Sequence, residues 1–385
     1  MKNKICVYGI CKDELKFVDT FLNYASEADY VCLLDTGSTD GTYEKLKDDP
    51  RVTRVEQKII TPWRFDVARN ESMKLIPTDA NICVSIDLDE FYEPGWADIL
   101  RRKWDDNKHY MAQYRYAWNH DEQGHPIKVF TYEKIHSRND WLWVYPVHEC
   151  LVPVGAPLDD TKILDLMEEG VYLHHFQDRE KTRESYLPLV ELRAQENPDD
   201  IQTLIHLVHE YLYNQRYSEC GNLVEKMLIQ FKEELADRPD LVNSLYLFKG
   251  DSEFGRNLFE AAIDSYMAAI NTERSFAEPY VALGQLYYYR QMYGEAITSF
   301  EAALSSSSRY FTWFRRDESY KDETIYDQLS CAYACVGDYS NAFVNVHKAL
   351  FYDRTNERYL QNLAFIEERL FADMYKRAEN SVGIE

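Results

Sequence analysis

Residues 4–42, KICVYGICKDELKFVDTFLNYASEADYVCLLDTGSTDGT, place two short apolar runs on either side of an amphipathic stretch. KICVYGI reads as a buried strand, because a bounded run of apolar and β-branched residues suits a strand covered on both faces. ELKFVDTFLNYA repeats its apolar residues at helical spacing, and YVCLLD reads as a second buried strand. The same alternation continues outward. TGSTDGTYEKLK turns into a helix, VTRVEQ gives a third strand, DVARNESMKLI a third helix and NICVSID a fourth strand. Strands alternating with helices predict βαβ units around a parallel sheet, whose ligands bind beyond the carboxyl ends of the strands.

From 110 to 176 the pattern changes. YMAQYRYAWN, KVFTYEKIHS, WLWVYPVHECLV and GVYLHHF read as strands without helices between them, predicting an antiparallel extension. After Pro198 the chain reads as helical and repeats itself. Tyr280, Leu283, Gly284, Tyr287, Ala296, Phe300 and Ala303 fall at the offsets of a tetratricopeptide repeat. Tyr246, Lys249, Gly250, Glu253, Ala262, Tyr266 and Ala269 occupy the same offsets, as do Tyr326, Leu329, Ser330, Tyr333, Ala342, Val346 and Ala349. A weaker copy begins at Leu204, and the starts lie 42, 34 and 46 residues apart, so two steps carry insertions. The expected domains are 1–180, a linker helix over 181–200, a repeat domain over 201–375 and a tail over 376–385.

Composition narrows the function. The 385 residues carry 66 acids against 43 bases, a formal charge of −23. The excess is spread along the chain, with 22 bases and 33 acids up to residue 180 and 21 and 33 beyond it. A broad nucleic-acid footprint is excluded, because that affinity rests on cations neutralising phosphates. Cys6, Cys11, Cys32, Cys83, Cys150, Cys220, Cys331 and Cys335 form no CxxC pair and no zinc spacing. MKNKICVYGICKDE lacks a signal-peptide core, and no 18-residue apolar run exists, so a cytoplasmic protein with reduced thiols and no membrane span is expected. The 30 Tyr, 18 Phe and 7 Trp call for either many packed interfaces or a ligand groove.

Three motifs carry chemistry. Asp87-Leu88-Asp89-Glu90 follows the apolar strand NICVSI, and alternate carboxylates leaving a strand can converge on one hard cation, Mg²⁺ or Mn²⁺, able to neutralise a diphosphate. Asp35-Thr36-Gly37-Ser38-Thr39-Asp40-Gly41-Thr42 ends the second strand; Asp35 is expected to touch ligand, whereas Asp40 and Thr42 suit an ordinary turn and helix cap equally well. Arg69, in WRFDVARN, either reaches a nucleotide or phosphate or serves as a surface ion-pair partner.

The succession ICKDE, LDTGSTDGT, FDVARN and SIDLDE resembles the nucleotide-sugar half of family 2 glycosyltransferases of the GT-A fold. WVYPVHE and YLHHF followed by a repeat array are similar to the subgroup containing the sublancin-type peptide S-glycosyltransferases. The resemblance implies an α/β GT-A domain, Rossmann-like with a mixed sheet, followed by an all-α tetratricopeptide superhelix. It implies that Gly9, Ile10, Asp35 and Arg69 hold the nucleoside and that Asp87 and Asp89 take the ribose and the metal, Mn²⁺ or Mg²⁺. It further implies a histidine completing the metal site. His174 and His175 would face opposite sides of a strand, with His174 the first choice and a buried structural histidine the competing reading for each. Glu149 is the candidate general base, with His148 as base or orienting group. Trp141, Trp143 and Tyr145 either form an acceptor platform or pack at a strand edge. The QxxRW element of processive synthases is absent.

The expectation is therefore a metal-dependent inverting transferase moving a sugar from a UDP-sugar, UDP-glucose or UDP-HexNAc, to Ser, Thr or Cys of a peptide or protein. A saccharide acceptor and a non-catalytic nucleotide-sugar-binding scaffold are the alternatives. The repeats offer a concave peptide surface or a homodimer contact, and segments 117–126 and 155–170 are placed to close over a donor.

Overall fold

The computed structural model describes residues 3–120, 124–155, 157–176, 186–307 and 321–382. Parts of the expected linker (181–185), tail (383–385) and closing segments (121–123 and Ala156) lie outside the described residues. The chain divides into two compact units, Met1–Arg193 and Ala194–Glu385.

The first unit runs β1 (Ile5–Cys11), α1 (Val18–Ala25), β2 (Tyr30–Asp35), α2 (Thr42–Asp48), β3 (Arg54–Gln57), α3 (Phe65–Met73), β4 (Ile82–Ser85), β5 (Glu90–Tyr92), α4 (Trp96–Lys103), β6 (Met111–His120), β7 (Pro126–Ser137), β8 (Trp141–Val144), β9 (Cys150–Pro153), β10 (Ile163–Asp165), β11 (Tyr172–His175) and α5 (Tyr186–Glu196). Strand order in the main sheet is β3-β2-β1-β4-β7-β6-β11-β5, with β10 beside β6. β1 pairs in parallel with β2 and β4, and β2 with β3. β7 is antiparallel to β4 and β6, so the extension begins where it was expected. It is mixed rather than purely antiparallel, because β10 and β11 both run parallel to β6.

The alternation of β1 explains the layering. Ile5 and Val7 face a core containing Val31, Leu33, Phe21, Leu22 and Trp96, whereas Cys6 and Tyr8 face a second core with Cys32, Leu34, Ala68 and Cys83. Both faces are covered, as continuous apolar strands require. Three of the thiols are thus packing groups, and all eight cysteines are free. The run WLWVYPVHECLV is not one strand: it folds into β8 and β9, a separate two-stranded sheet, with residues 145–149 as the connection. β5 and α4 are elements the sequence pattern did not signal.

The second unit runs α6 (Ile201–Tyr213), α7 (Tyr217–Gln230), α8 (Pro239–Gly255), α9 (Phe259–Thr272), α10 (Glu278–Tyr289), α11 (Tyr293–Ser305), α12 (Asp322–Cys335), α13 (Tyr339–Tyr352) and α14 (Glu357–Val382). Helix α14 continues past 375, through the start of the expected tail. The repeat offsets are packing positions: Ala262, Ala269, Ala296, Ala303, Ala342 and Ala349 are fully buried. A methyl group on Gly250 would lie 2.4 Å from the Tyr266 ring, and one on Gly284 would lie 2.6 Å from the Phe300 ring. Each glycine therefore admits the aromatic of the paired helix, as the hairpin packing of a tetratricopeptide array demands. Among the described residues no helix is long and apolar enough to cross a membrane.

Gly284→Ala separates two effects of opposite sign. Helix propensity alone favours alanine by about 1 kcal/mol, but the added methyl meets the buried Phe300 ring, and overpacking costs about 1–3 kcal/mol. Urea unfolding of the intact chain is expected to show a net loss of stability; an unchanged or raised midpoint would contradict the packing account.

Candidate active site

The site grows from the end of β4. Past the end of β4, Ile86 and Leu88 are buried in the apolar core, whereas Asp87 and Asp89 stay partly exposed on the turn that leads into β5. Gly9 of β1 lies against this segment: a Cβ there would come within 2.2 Å of the Ile86 carbonyl oxygen, so only glycine lets the two backbones approach. Ile10 beside it is buried in the α3-side core.

The neighbouring loops are laced by side chains. Asp13 N–H donates to Ser38 Oγ (2.9 Å), Glu14 N–H to Thr42 Oγ1 (2.8 Å) and Leu15 N–H to Asp40 Oδ2 (3.0 Å). These bonds consume the first turn of the expected helix ELKFVDTFLNYA, and α1 starts only at Val18. Asp40 also accepts from Thr42 N–H, so it organises the turn. Asp35, fully buried, accepts from the Gly37 and Ser38 amides and from Gln57 Nε2, each at 2.9 Å, and from the Ser38 hydroxyl. Its carboxylate shapes the loop at the carboxyl end of β2.

Arg69 departs from both sequence expectations. It is 3% exposed, neither a surface partner nor open to a ligand. Its two terminal nitrogens donate to the two oxygens of Asp87 at 3.0 Å each, and Nε donates to Glu149 Oε1 at 2.5 Å. The ring of Trp143 lies 5.1 Å from Cζ. A buried guanidinium needs this much negative charge around it. Arg69 thereby brings Asp87 and Glu149 together, and one oxygen of the candidate base is held.

Asp89 takes a different partner. His175 Nε2 lies 3.3 Å from Asp89 Oδ2, with the imidazole 4.7 Å from the Trp118 ring centroid. His174, the first choice from the sequence, is on the opposite face: Nδ1 meets His120 Nε2 at 2.8 Å and Nε2 meets Glu93 at 3.2 Å. The preference between the two is thus reversed, because β11 pairs with β5 in the register that sets His175 against Glu90.

Trp141, Trp143 and Tyr145 do not line an open platform. Trp141 is buried, stacked on Tyr110 at 5.2 Å, and Trp143 is 2% exposed with its Nε1–H donating to Tyr8 Oη at 3.0 Å. Tyr145 lies under the Arg193 guanidinium, 3.9 Å from Cζ to ring centroid. β8 presents alternate residues inward, and Trp141 and Trp143 share that phase. His148 is exposed and, like Tyr145, has a left-handed backbone, with φ of 50° and 78°. Such residues cost about 1–3 kcal/mol each and collect where a loop must be held in one shape.

Two residues without an assigned role complete the charge pattern. Buried Glu90 accepts from Tyr116 Oη at 2.8 Å and from the Asp87 amide at 3.0 Å. Buried Lys134 has its Nζ 4.7 Å from the Tyr132 ring centroid. β7 is irregular between Tyr132 and Ile135, since Ala112 pairs with Ile135 and Tyr114 with Tyr132, so strict alternation gave the buried lysine no signal in the sequence. Burial opposes the charge of Asp87, but Arg69 and Lys134 hold its carboxyl well below the usual range. Burial also opposes the charge of Lys134, which Tyr132, Glu90 and Asp87 nevertheless push up. Glu90 is shifted up, first by burial and then by Asp87 and Asp89. For His175 burial works downward, yet the bond to Asp89 and the charges of Asp89 and Glu90 leave it raised.

Asp89 and His175 are the residues that could hold a divalent cation here. At 3.3 Å the Asp89–His175 pair is spaced as a direct hydrogen bond, and two donors about 2.1 Å from one ion near a right angle would lie about 3 Å apart, so the pair could take an ion between them with little movement. Among the described residues no group of three or more His, Cys, Asp and Glu side chains is arranged to hold a metal alone. Mg²⁺-type sites commonly take one or two protein ligands and complete their shell with water and substrate phosphate.

No protein-family model matches the chain, and no curated protein matches it. Solved structures that resemble it include MamA, 20% identical over 44% of this chain and 86% of that one, with a TM-score of 0.35. TTC0263, a thermophilic TPR protein of Thermus thermophilus, is 18% identical over 48% and 89%, at 0.34. The second TPR domain of human RPAP3, solved in complex with an HSP70 peptide, is 18% identical over 34% and 98%, at 0.29. Likeness at these scores assigns no activity.

Arg69→Leu tests the buried clamp. It leaves Asp87 and Glu149 without their guanidinium, and removing one partner of a buried ion pair costs about 3–5 kcal/mol. Denaturant unfolding should show a loss of that order, with Arg69→Lys between the variant and the wild type. A change within about 0.5 kcal/mol, the range of ordinary surface substitutions, would contradict the clamp.

Proposed function

We propose that the chain is a metal-dependent, inverting glycosyltransferase that moves a sugar from a UDP-sugar to a Ser, Thr or Cys side chain of a peptide or protein, on an N-terminal domain of GT-A type. The observation that carries the reading is the Asp89–His175 pair at the end of β4, beside a second aspartate fixed by Arg69. The β3-β2-β1-β4 order reverses direction between β1 and β4, and ligands of open α/β sheets bind at such a switch point. Asp35, Asp87 and Asp89 all stand at these strand ends.

Asp89 and His175 would hold Mn²⁺ or Mg²⁺, which supplies positive charge against the leaving diphosphate. Asp87, kept anionic by Arg69, is available to accept from a donor hydroxyl. The acceptor attacks the anomeric carbon as the bond to the diphosphate oxygen breaks, and its proton passes to a base. Glu149, through the oxygen that Arg69 does not hold, or the exposed neighbouring His148, takes that proton. The repeat array supplies the kind of extended surface on which a peptide acceptor docks.

UDP release from UDP-glucose and UDP-N-acetylglucosamine with Mn²⁺ tests the reading. Wild-type turnover should vanish with EDTA and fall at least about 10²-fold in Asp89→Ala, as expected when an electrostatic contribution to the transition state is removed. Turnover unaffected by both changes, or none in the wild type with either donor, would refute it.

A further inference from the structure

The connection between β8 and β9 is shaped by groups remote in sequence. At its β8 end, Asn70 of α3 brackets Trp143, donating from Nδ2 to the Trp143 carbonyl at 2.8 Å and accepting the Trp143 amide at 3.0 Å. The Phe65 amide donates to the Pro146 carbonyl at 3.0 Å. Along this connection the chain passes through left-handed Tyr145 and His148, of which the bulky tyrosine is the residue least suited to that conformation.

Arg193 of α5, 3% exposed, supplies what the connection lacks. Its guanidinium lies over the Tyr145 ring, and Nη1 donates to the carbonyls of Val147 (3.3 Å) and His148 (3.1 Å). Left-handed residues turn their neighbouring carbonyls out of any strand ladder, and buried carbonyls need donors. A planar guanidinium can stack on an aromatic face while its edge donates in plane. A lysine ammonium cannot do both.

We infer that Arg193 is a positioning residue for Glu149 and His148: it fixes the 145–149 connection so that both side chains stand at the site, and it acts on the reaction only through them. This rests on the glycosyltransferase reading for its catalytic consequence, whereas its structural half stands on the contacts alone. Asp87 pairs with Arg69 and Asp89 with His175, so donor binding should not depend on Arg193.

The test uses the full-length chain with Arg193→Ala and Arg193→Lys. Amide hydrogen exchange read by mass spectrometry should accelerate in Arg193→Ala over residues 144–150 while β1, β2 and β4 keep their protection. In Mn²⁺-supported UDP release from UDP-glucose, kcat should fall about 10²-fold, the scale of a misplacement of about 1 Å, with the KM for UDP-glucose within about twofold. Arg193→Lys should lie between in both measurements, having kept the charge and lost the fork. Unchanged exchange over 144–150, exchange accelerated equally through β1, β2 and β4, or a loosened connection with full kcat would each overturn the inference. A wild type without turnover would refute the glycosyltransferase reading and the catalytic consequence with it, and the exchange result would still decide whether Arg193 holds the connection.

Discussion

The site of this protein is organised around one buried cation. The Arg69 guanidinium forks onto Asp87, reaches Glu149 through its third nitrogen and is covered by Trp143. Because a guanidinium out of water cannot give up its proton, the elements that supply its partners must assemble around α3 for the charge to be tolerated at all. Those elements are the end of β4 and the β8–β9 connection. Trp143 is tied in turn to Tyr8 of β1, whose hydroxyl meets His136 of β7 at 2.7 Å. Burial pushes that imidazole down to about 4, so it stays neutral and serves as a hydrogen-bond partner rather than a charge.

Charge around the clamp is uneven. Asp87, Asp89, Glu90 and Glu149 face Arg69 and Lys134, with His175 the remaining basic group. The two permanent cations do not offset four carboxylates. Glu90 is shifted up by burial and then by Asp87 and Asp89, and His175 is raised, against its burial, by the bond to Asp89, a shift that a bound cation would reverse because imidazole ligates only in its neutral form.

Much of this was legible in the residues, for identifiable reasons. β1, β2 and β4 could be read because both faces are apolar, and the carboxylates of DLDE follow directly on the last apolar residues of β4. The glycines of the repeats could be read because small residues recur opposite aromatics at fixed offsets. What could not be read depends on partners distant in sequence. Arg69 looks like an ordinary helical arginine because its partners lie 18 and 80 residues away. WLWVYPVHECLV looks like one strand because its reversal uses Tyr145 and His148, without glycine or asparagine, and is held by Arg193. Strand parity separated His174 from His175, but which of them faces Asp89 is set by the β5–β11 register, and β5 gave no signal of its own.

The central claim is that Asp89 and His175 form the protein half of a metal–diphosphate site. Calorimetric titration of UDP into the intact chain, with and without Mn²⁺, tests it most directly. The account predicts saturable UDP binding that strengthens at least about tenfold when Mn²⁺ is present, equivalent to about 1.4 kcal/mol, and loses that enhancement in His175→Ala. Binding of equal strength with and without the ion, or an enhancement that survives the loss of His175, would contradict it.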